Sequence, residues 1–508
     1  MKSFPVKICI FLYCALLFSF GAQKSSLEFK GDENFYFEST RHMLETKDIL
    51  TPRYMNEERF QKPILFYWFI LLSFKIFGVN WFAARLPSIL LGSLCALLIF
   101  KIAELLFRDK KTALFAALFA ATTPLYYRYA RLAVPDMSLI FFETLALYFF
   151  INYYKFRTGT GLRFFFAALA VAFLIKGPVG VLIPLLITAI FCLLKKETVF
   201  KLSDVAAGVI LFLVITVPWF YAMWKIYPER YANEVVSREI LQRLGWGHAG
   251  SFIMVYIKGF IFYTVTLITK FLPYSLFMPF AFAGVARNSR SENDGRIFLL
   301  TWVAVVFLFF TFVAERRTHY LLALAPAASI LVGVFFAKLA QKKRVLPIGI
   351  VAFLSLLYIA FNLLPAYGLF SNRMEHAAFS IKAGMKEGDR IGIGSHGIIP
   401  EELQVFFQVP VELVKVTYTA DGRPSMDTVP RLKEFLNSQD RVFCVIKKKD
   451  YETFLPAEMR EKLYIIDSYY VWKRRITFNE VKDAVGSEGG DLFKEVFQNE
   501  IYVVSNKR

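Results

Sequence analysis

Cysteine is scarce in this chain of 508 residues: five in all, at Cys9, Cys14, Cys95, Cys192 and Cys444. Four lie in apolar runs and none has the spacing of a metal site, so neither a disulfide framework nor a zinc centre is indicated. Acidic residues are also outnumbered, 41 against 60 Lys and Arg, for a formal net charge of +19. That excess does not point to nucleic acid, because no basic stripe interleaved with aromatics lies on a soluble module. "GIGSHG" (Gly392–Gly397) lacks the full dinucleotide-binding pattern and its acidic partner, and reads as a strand-to-loop turn. There is no internal repeat, no low-complexity tract and no clear symmetry between the halves of the chain, which disfavours a repeat-built transporter.

Long apolar sequence is what the chain does have. It is 56% hydrophobic, with 56 Phe and 25 Tyr, and its uncharged runs recur at close to the ~20 residues that cross a bilayer. The first of them, "MKSFPVKICIFLYCALLFSFGA", resembles a signal peptide, but Phe20 suits the cleavage site poorly, and an uncleaved first span is expected. Five short basic loops separate later runs: Arg108–Lys111, Lys155–Arg163, Lys195–Lys201, Arg287–Arg296 and Lys338–Arg344. By the positive-inside rule these and the N-terminus are cytoplasmic. About eleven spans follow, up to about thirteen if prolines break some of them, and an odd number leaves the C-terminus outside. The expected fold is therefore a polytopic α-helical membrane bundle over residues 1–370, followed by an exterior α/β domain over 371–508. In that domain "DRIGIGSH", "VELVKVTY", "RVFCVIKK", "KLYIIDSYYVW" and "EIYVVSN" read as strands and "TVPRLKEFLNS" as a helix.

The exterior loops collect charges that the positive-inside rule does not explain: Asp32, Glu33, Lys62, Asp136, Lys176, Arg238, Arg243, Arg316, Arg317 and, beside them, Tyr320. Ionisable groups at membrane depth are costly and usually line a cavity or pathway. Asp32 opens "DENFYFESTRHML", expected to be an interfacial helix within a first exterior segment spanning 23–83. Its carboxylate serves either as a helix cap or as a group held at headgroup depth. Asp136 follows Pro135 and suits a cap. Glu143, about two turns further in, must face the bundle interior. Lys176 sits where Gly177 and Pro178 break a helix. Arg and Lys recognise phosphate, and a carboxylate nearby suits general-base work on a hydroxyl. The residues thus point to an exterior enzyme acting on a phosphorylated lipid, with a lipid or ion transporter left open.

Seven stretches, in order, carry a family resemblance: "DE" after the first span, "QKPILFYW", "FGVNWFAARLPS", "RLAVPDMSL", "FLIKGPVG", "REILQR" and "THYLLALAP". The chain resembles the integral-membrane glycosyltransferases of the aminoarabinose-transferase and protein O-mannosyltransferase type, which share the GT-C fold. The resemblance implies a sugar donor carried on polyprenyl phosphate, of the undecaprenyl phosphate type in bacteria. It further implies a lipid, polysaccharide or protein acceptor and a site at the outer face of the inner membrane. Asp32 matches the catalytic carboxylate, with Glu33 beside it; Asp136 matches a second acidic motif. Lys62, Arg243 and Tyr320 match ligands of the carrier phosphate and Lys176 a cation of the same cavity; Arg238 and Arg317 are grouped with them by position. Gln61 and Ile240 depart from the pattern where relatives carry Glu and His, positions linked to a divalent metal. Gln is a poor metal ligand and Ile cannot be one, so no metal or other cofactor is expected, and aminoarabinose is not the expected sugar.

Overall fold

The structure is a computed structural model that describes residues 3–23, 32–54, 57–197, 200–228, 252–286, 293–313, 315–341, 345–363, 374–386, 388–395, 411–414, 429–472 and 498–507. It divides into two compact units, one of residues 1–25 and 35–361 and the other of 26–34 and 362–508. The boundary near 361 stands close to the end of the last apolar helix at Leu363.

The first unit is helical, although residues 32–34 and 362–363, at the ends of two of its helices, are assigned to the other. In chain order its elements are α1 (Ser3–Ser19), α2 (Asp32–Thr46), α3 (Leu65–Phe77), α4 (Trp81–Phe107), α5 (Lys110–Thr122), α6 (Pro124–Tyr129), α7 (Asp136–Phe156), α8 (Gly159–Lys176), α9 (Val179–Lys195) and α10 (Leu202–Ile226). There follow α11 (Phe252–Lys270), α12 (Met278–Ala286), α13 (Asn293–Thr311), α14 (Ala325–Leu339) and α15 (Val345–Leu363), with a 3₁₀ turn over Thr318–Leu324 leading into α14. Among the described residues six helices are long and apolar enough to cross a membrane, or seven if a pair bent by 110° around residues 271–273 counts as one. Four further apolar helices, Pro5–Ser19, Leu65–Phe77, Val179–Lys195 and Val345–Ala360, are shorter. The chain is a multi-pass membrane protein, and among the described residues the long helices, the bent pair and the four shorter helices follow the apolar runs of the sequence. Pro273 stands at the sharp bend, where a residue without an amide donor cannot continue the ladder.

The two ends of the bundle differ in charge chemistry. Arg157 pairs with Glu197 at 3.1 Å and Lys195 with Asp294 at 2.5 Å. The Lys155 ammonium donates to the Leu105 carbonyl, and Arg163 faces Asp204 at 3.9 Å. Four basic stretches placed on one side by their charge thus meet at one end. There α4, α7 and α9 finish on Arg108, Arg157 and Lys196, each left-handed, where a cation also favours the negative end of the helix dipole. Asp136 and Lys176, at the other ends of α7 and α8, lie ~30 Å away along these helices.

The exit of α1 is held by two arginines buried in the bundle. Arg131 donates from Nε to the Phe18 carbonyl at 3.1 Å and from a terminal nitrogen to the Phe20 carbonyl, while Arg85 reaches the Ala22 carbonyl at 2.9 Å. The Phe18 carbonyl lies in the last turn of α1 and the other two follow its end, where carbonyls lack intrahelical donors, so the guanidinium groups satisfy them. After α2 begins, its aromatic residues pack on α3 and the start of α4: Tyr36 meets Phe66 and Tyr67, and Phe37 stacks on Trp81 at 4.4 Å. This is the amphipathic helix expected in the first exterior segment, with its apolar side on neighbouring protein.

The second unit is an α/β domain built on a five-stranded sheet. Its strands are β3 (Arg390–Ile393), β4 (Val411–Leu413), β5 (Val442–Lys447), β6 (Tyr464–Trp472) and β7 (Gln498–Ser505), numbered after a two-residue hairpin, β1 (Arg53–Tyr54) and β2 (Glu57–Glu58), in the first unit. The order is β4-β3-β5-β7-β6, with β3 parallel to β4 and β5, and β7 antiparallel to β5 and β6. Central β5 is buried on both faces. Phe443 and Val445 pack with Ala377, Ala378 and Ile381 of α16 (Met374–Gly384). Val442, Cys444 and Ile446 pack with Leu432, Phe435 and Leu436 of α17 (Val429–Leu436). Two-sided burial is what the unbroken apolar run "VFCVI" requires. It also accounts for Cys444, which is fully buried with a free thiol pushed up to about 12 by desolvation.

Candidate active site

The first unit contains a cavity of about 340 Å³, within the range of small-molecule sites. Its walls come from six elements: the N-terminal face of α7, the end of α8, the start of α9, the outer part of α10, the end of α13, and the 3₁₀ turn before α14. The loop before α3 adds Phe60, Gln61 and Pro63. Most of the lining is apolar, including Trp219, Phe220 and Phe309, and the polar side chains are Gln61, Asp136, Glu143, Lys176, His319 and Tyr320.

The α8–α9 hairpin sets the geometry. Gly177 ends α8 at φ 77 and ψ −150, and its amide donates to the Phe173 carbonyl. That backbone region is nearly closed to residues with a Cβ, and the turn it makes lets α9 fold back on α8. At Gly180 the two helices touch, since a Cβ there would lie 2.8 Å from the Ala172 carbonyl oxygen and 2.9 Å from a Leu139 methyl. The result delivers Lys176 to the start of α7. Its ammonium donates to the Asp136 carboxylate at 2.5 Å, with both side chains about nine-tenths buried.

Asp136 is therefore an ion-pair partner rather than the helix cap suggested by Pro-Asp, since it is the first helical residue and the preceding Pro135 offers no side-chain acceptor. His319 Nε2 stands 3.7 Å from the same carboxylate oxygen, and Lys62 is close enough to act on it electrostatically. The Lys176 ammonium also lies 5.9 Å from the centre of the Tyr320 ring, which stacks on Phe310 at 4.9 Å. Lys176 does not snorkel to water. It is buried because a carboxylate compensates it.

Of the residues marked by sequence, Asp136, Lys176 and Tyr320 line one cavity, with Gln61 in its wall and Lys62 adjacent, half-buried and donating to the Gln61 carbonyl at 2.7 Å. Asp32 and Glu33 form the first turn of α2, the former exposed and the latter buried, and neither is in the lining. Arg317 points elsewhere: its Nε donates to Glu315 at 2.9 Å in an exposed turn, because a carboxylate two residues away competes for it. Arg316 donates to the Val255 carbonyl at 2.9 Å. Arg238, Arg243 and Ile240 lie outside the described residues. Two polar members of the lining had no assigned role in the sequence, His319 and Glu143. Periodicity contained the signal for Glu143: positions 136, 139, 140 and 143 follow the i, i+3, i+4, i+7 spacing of one helix face, and all four line the cavity.

Gln61 offers a neutral amide, and the Asp136 carboxylate is already paired with Lys176. Among the described residues no three His, Cys, Asp or Glu side chains gather as ligands.

A family model of dolichyl-phosphate-mannose-protein mannosyltransferases matches residues 61–224, which contain Lys62, Asp136 and Lys176. An uncharacterized protein of Aquifex aeolicus is 32% identical over 311 residues, 60% of this chain and 68% of that protein. The undecaprenyl phosphate-alpha-4-amino-4-deoxy-L-arabinose arabinosyl transferase of Yersinia pestis is 26% identical over 338 residues, 66% of this chain. The chain belongs to the GT-C membrane glycosyltransferases of the aminoarabinose-transferase and protein O-mannosyltransferase type. Its match spans 60% of the length of the Yersinia relative. The fold of this GT-C protein is shared along the whole chain with ArnT from Cupriavidus metallidurans bound to undecaprenyl phosphate. That structure superposes with a TM-score of 0.68 at 19% identity, covering 100% of this chain and 98% of that one.

Proposed function

We propose that this chain transfers a sugar from a polyprenyl-phosphate donor, of the undecaprenyl phosphate type, to an acceptor at the outer face of a bacterial inner membrane. The acceptor class is a lipid, a polysaccharide or a protein. One observation carries the reading: a mostly apolar cavity in a membrane bundle has Lys176, His319 and nearby Lys62 gathered at the Asp136 end. An isoprenoid chain suits walls such as Trp219 and Phe220, and its phosphate suits the cations. Lys176 has three donors, one of them used on Asp136, which orients the ammonium.

The step is an inverting displacement. The acceptor oxygen bonds to the anomeric carbon while the bond from that carbon to the carrier phosphate breaks, and the electron pair leaves on the phosphate. Lys62 and Lys176 stabilise the departing charge, joined by Arg243 and Tyr320 on the strength of the family pattern. Asp32 orients the acceptor and takes its proton when the acceptor is a hydroxyl; a phosphate acceptor, already ionised, needs only positioning. No step passes through a metal, in keeping with Gln61 and Ile240.

The test uses purified protein in lipid nanodiscs, a synthetic undecaprenyl-phosphate sugar, and membranes of a deletion strain as the acceptor source. Asp32→Asn should lower release of undecaprenyl phosphate by ~10²–10⁴-fold while retaining binding of the carrier, and EDTA should change neither protein. Full turnover by Asp32→Asn would contradict the assigned chemistry and favour a carrier of lipid-linked glycans instead.

A further inference from the structure

Glu143 has no task in the steps above. Its side chain is buried, 4% exposed, and lines the cavity two helical turns inward from Asp136. One of its carboxyl oxygens, Oε1, is sealed from solvent and has no hydrogen-bond partner among the described residues. A buried polar atom left unpaired costs ~1–3 kcal/mol, and buried ionisable groups in membrane helices are rarely present without a task. Leu139 and Ile140 flank it on the same helix face, and Leu182 and Ile183 of α9 share the lining, and none of these four side chains can offer the oxygen a hydrogen bond.

We infer that Glu143 is a specificity-determining residue that accepts a hydrogen bond from a hydroxyl or amine of the sugar carried by the donor. The inference rests on the donor reading and narrows it. A polyprenyl phosphate sugar has three parts. The isoprenoid tail has no hydrogen-bond donor and would leave the oxygen unpaired. The phosphate diester has no donor at working pH and so cannot pair with an acceptor oxygen. Only the sugar carries donors, and it is bonded to the phosphate, which the Lys176 end of the same cavity is built to hold. A group that pairs with a sugar donor discriminates strongly against sugars lacking that donor, because the wrong sugar leaves the buried oxygen unsatisfied.

The experiment compares wild type, Glu143→Gln and Glu143→Leu in nanodiscs for binding of undecaprenyl phosphate and of a panel of undecaprenyl-phosphate hexoses and pentoses that differ in one hydroxyl or amine. Both variants should bind the sugar-free carrier as wild type does. Glu143→Leu should bind the preferred glycosylated form about tenfold or more weakly and lose the ranking among sugars. Glu143→Gln keeps an acceptor oxygen and should keep part of that ranking. Removing an unpaired buried carboxyl should leave the thermal midpoint of Glu143→Leu unchanged or raised, which separates this role from a structural one. An unchanged sugar ranking in Glu143→Leu, or an equal loss for the bare and glycosylated carriers, would overturn the assignment. Failure of the wild-type protein to bind undecaprenyl phosphate in any form would overturn the donor reading itself, and this one with it.

Discussion

The pairing of Asp136 with Lys176 is the residue-scale fact on which the cavity depends. The sequence marks both positions, because each is an ionisable group at a span end that loop charge bias does not explain. It does not reveal that they neutralise each other, since the partners are forty residues apart and meet only through the antiparallel α7–α8 packing. Arg317 differs in having a partner close in sequence, the Glu315 carboxylate two residues before it. Breaking a buried pair costs ~3–5 kcal/mol because the remaining charge is left uncompensated. Lys176→Met should therefore lower the thermal midpoint in detergent markedly, and the double variant with Asp136→Leu should recover part of the loss. A double variant less stable than Lys176→Met would show that the pair does not act as a unit. His319, 3.7 Å from the same oxygen, is expected to soften the single-variant effect when protonated.

Among the elements, the α8–α9 hairpin is what turns a sequence break into a site. "KGPVG" reads as an interruption between apolar runs, and that much is correct, but the position of Lys176 depends on a backbone angle at Gly177 that no composition argument supplies. Gly177→Ala isolates this contribution, because a Cβ there meets nothing within 4 Å and only backbone strain is added. The strain is ~1–3 kcal/mol. The variant should lose thermal stability by that amount and bind undecaprenyl phosphate more weakly, whereas wild-type stability and binding would show that the hairpin does not position the lysine. Motifs are also divided between tasks at this scale. Arg85 and Arg131 sit inside the stretches "FAARLPS" and "RLAVPDMSL" but serve the exit of α1 rather than the cavity. In the second unit all five strands were legible, because each is a short apolar run bounded by polar sequence. Their order was not, because the parallel and antiparallel pairings depend on crossovers with no local signal.

For the whole molecule, membrane class and the separation of a helical unit from an α/β unit follow from composition, while the lengths and bends of the individual spans do not. Short helices such as Val179–Lys195 and the broken pair around Pro273 are apolar enough to read as crossings yet are shorter or bent. The end-to-end difference in charge does survive, with basic loops tied together by ion pairs at one end and the Asp136–Lys176 cavity at the other ends of α7 and α8. The central claim is that this cavity grips a lipid phosphate through its lysines. Its most direct test is equilibrium binding of undecaprenyl phosphate to wild type and to the Lys62→Ala, Lys176→Met double variant in nanodiscs at fixed ionic strength. Charge-assisted hydrogen bonds are worth ~1.5–3 kcal/mol each, so the double variant should bind at least tenfold more weakly, with affinity for an uncharged polyprenol unchanged. Equal affinity of the two proteins for the phosphate would contradict the claim.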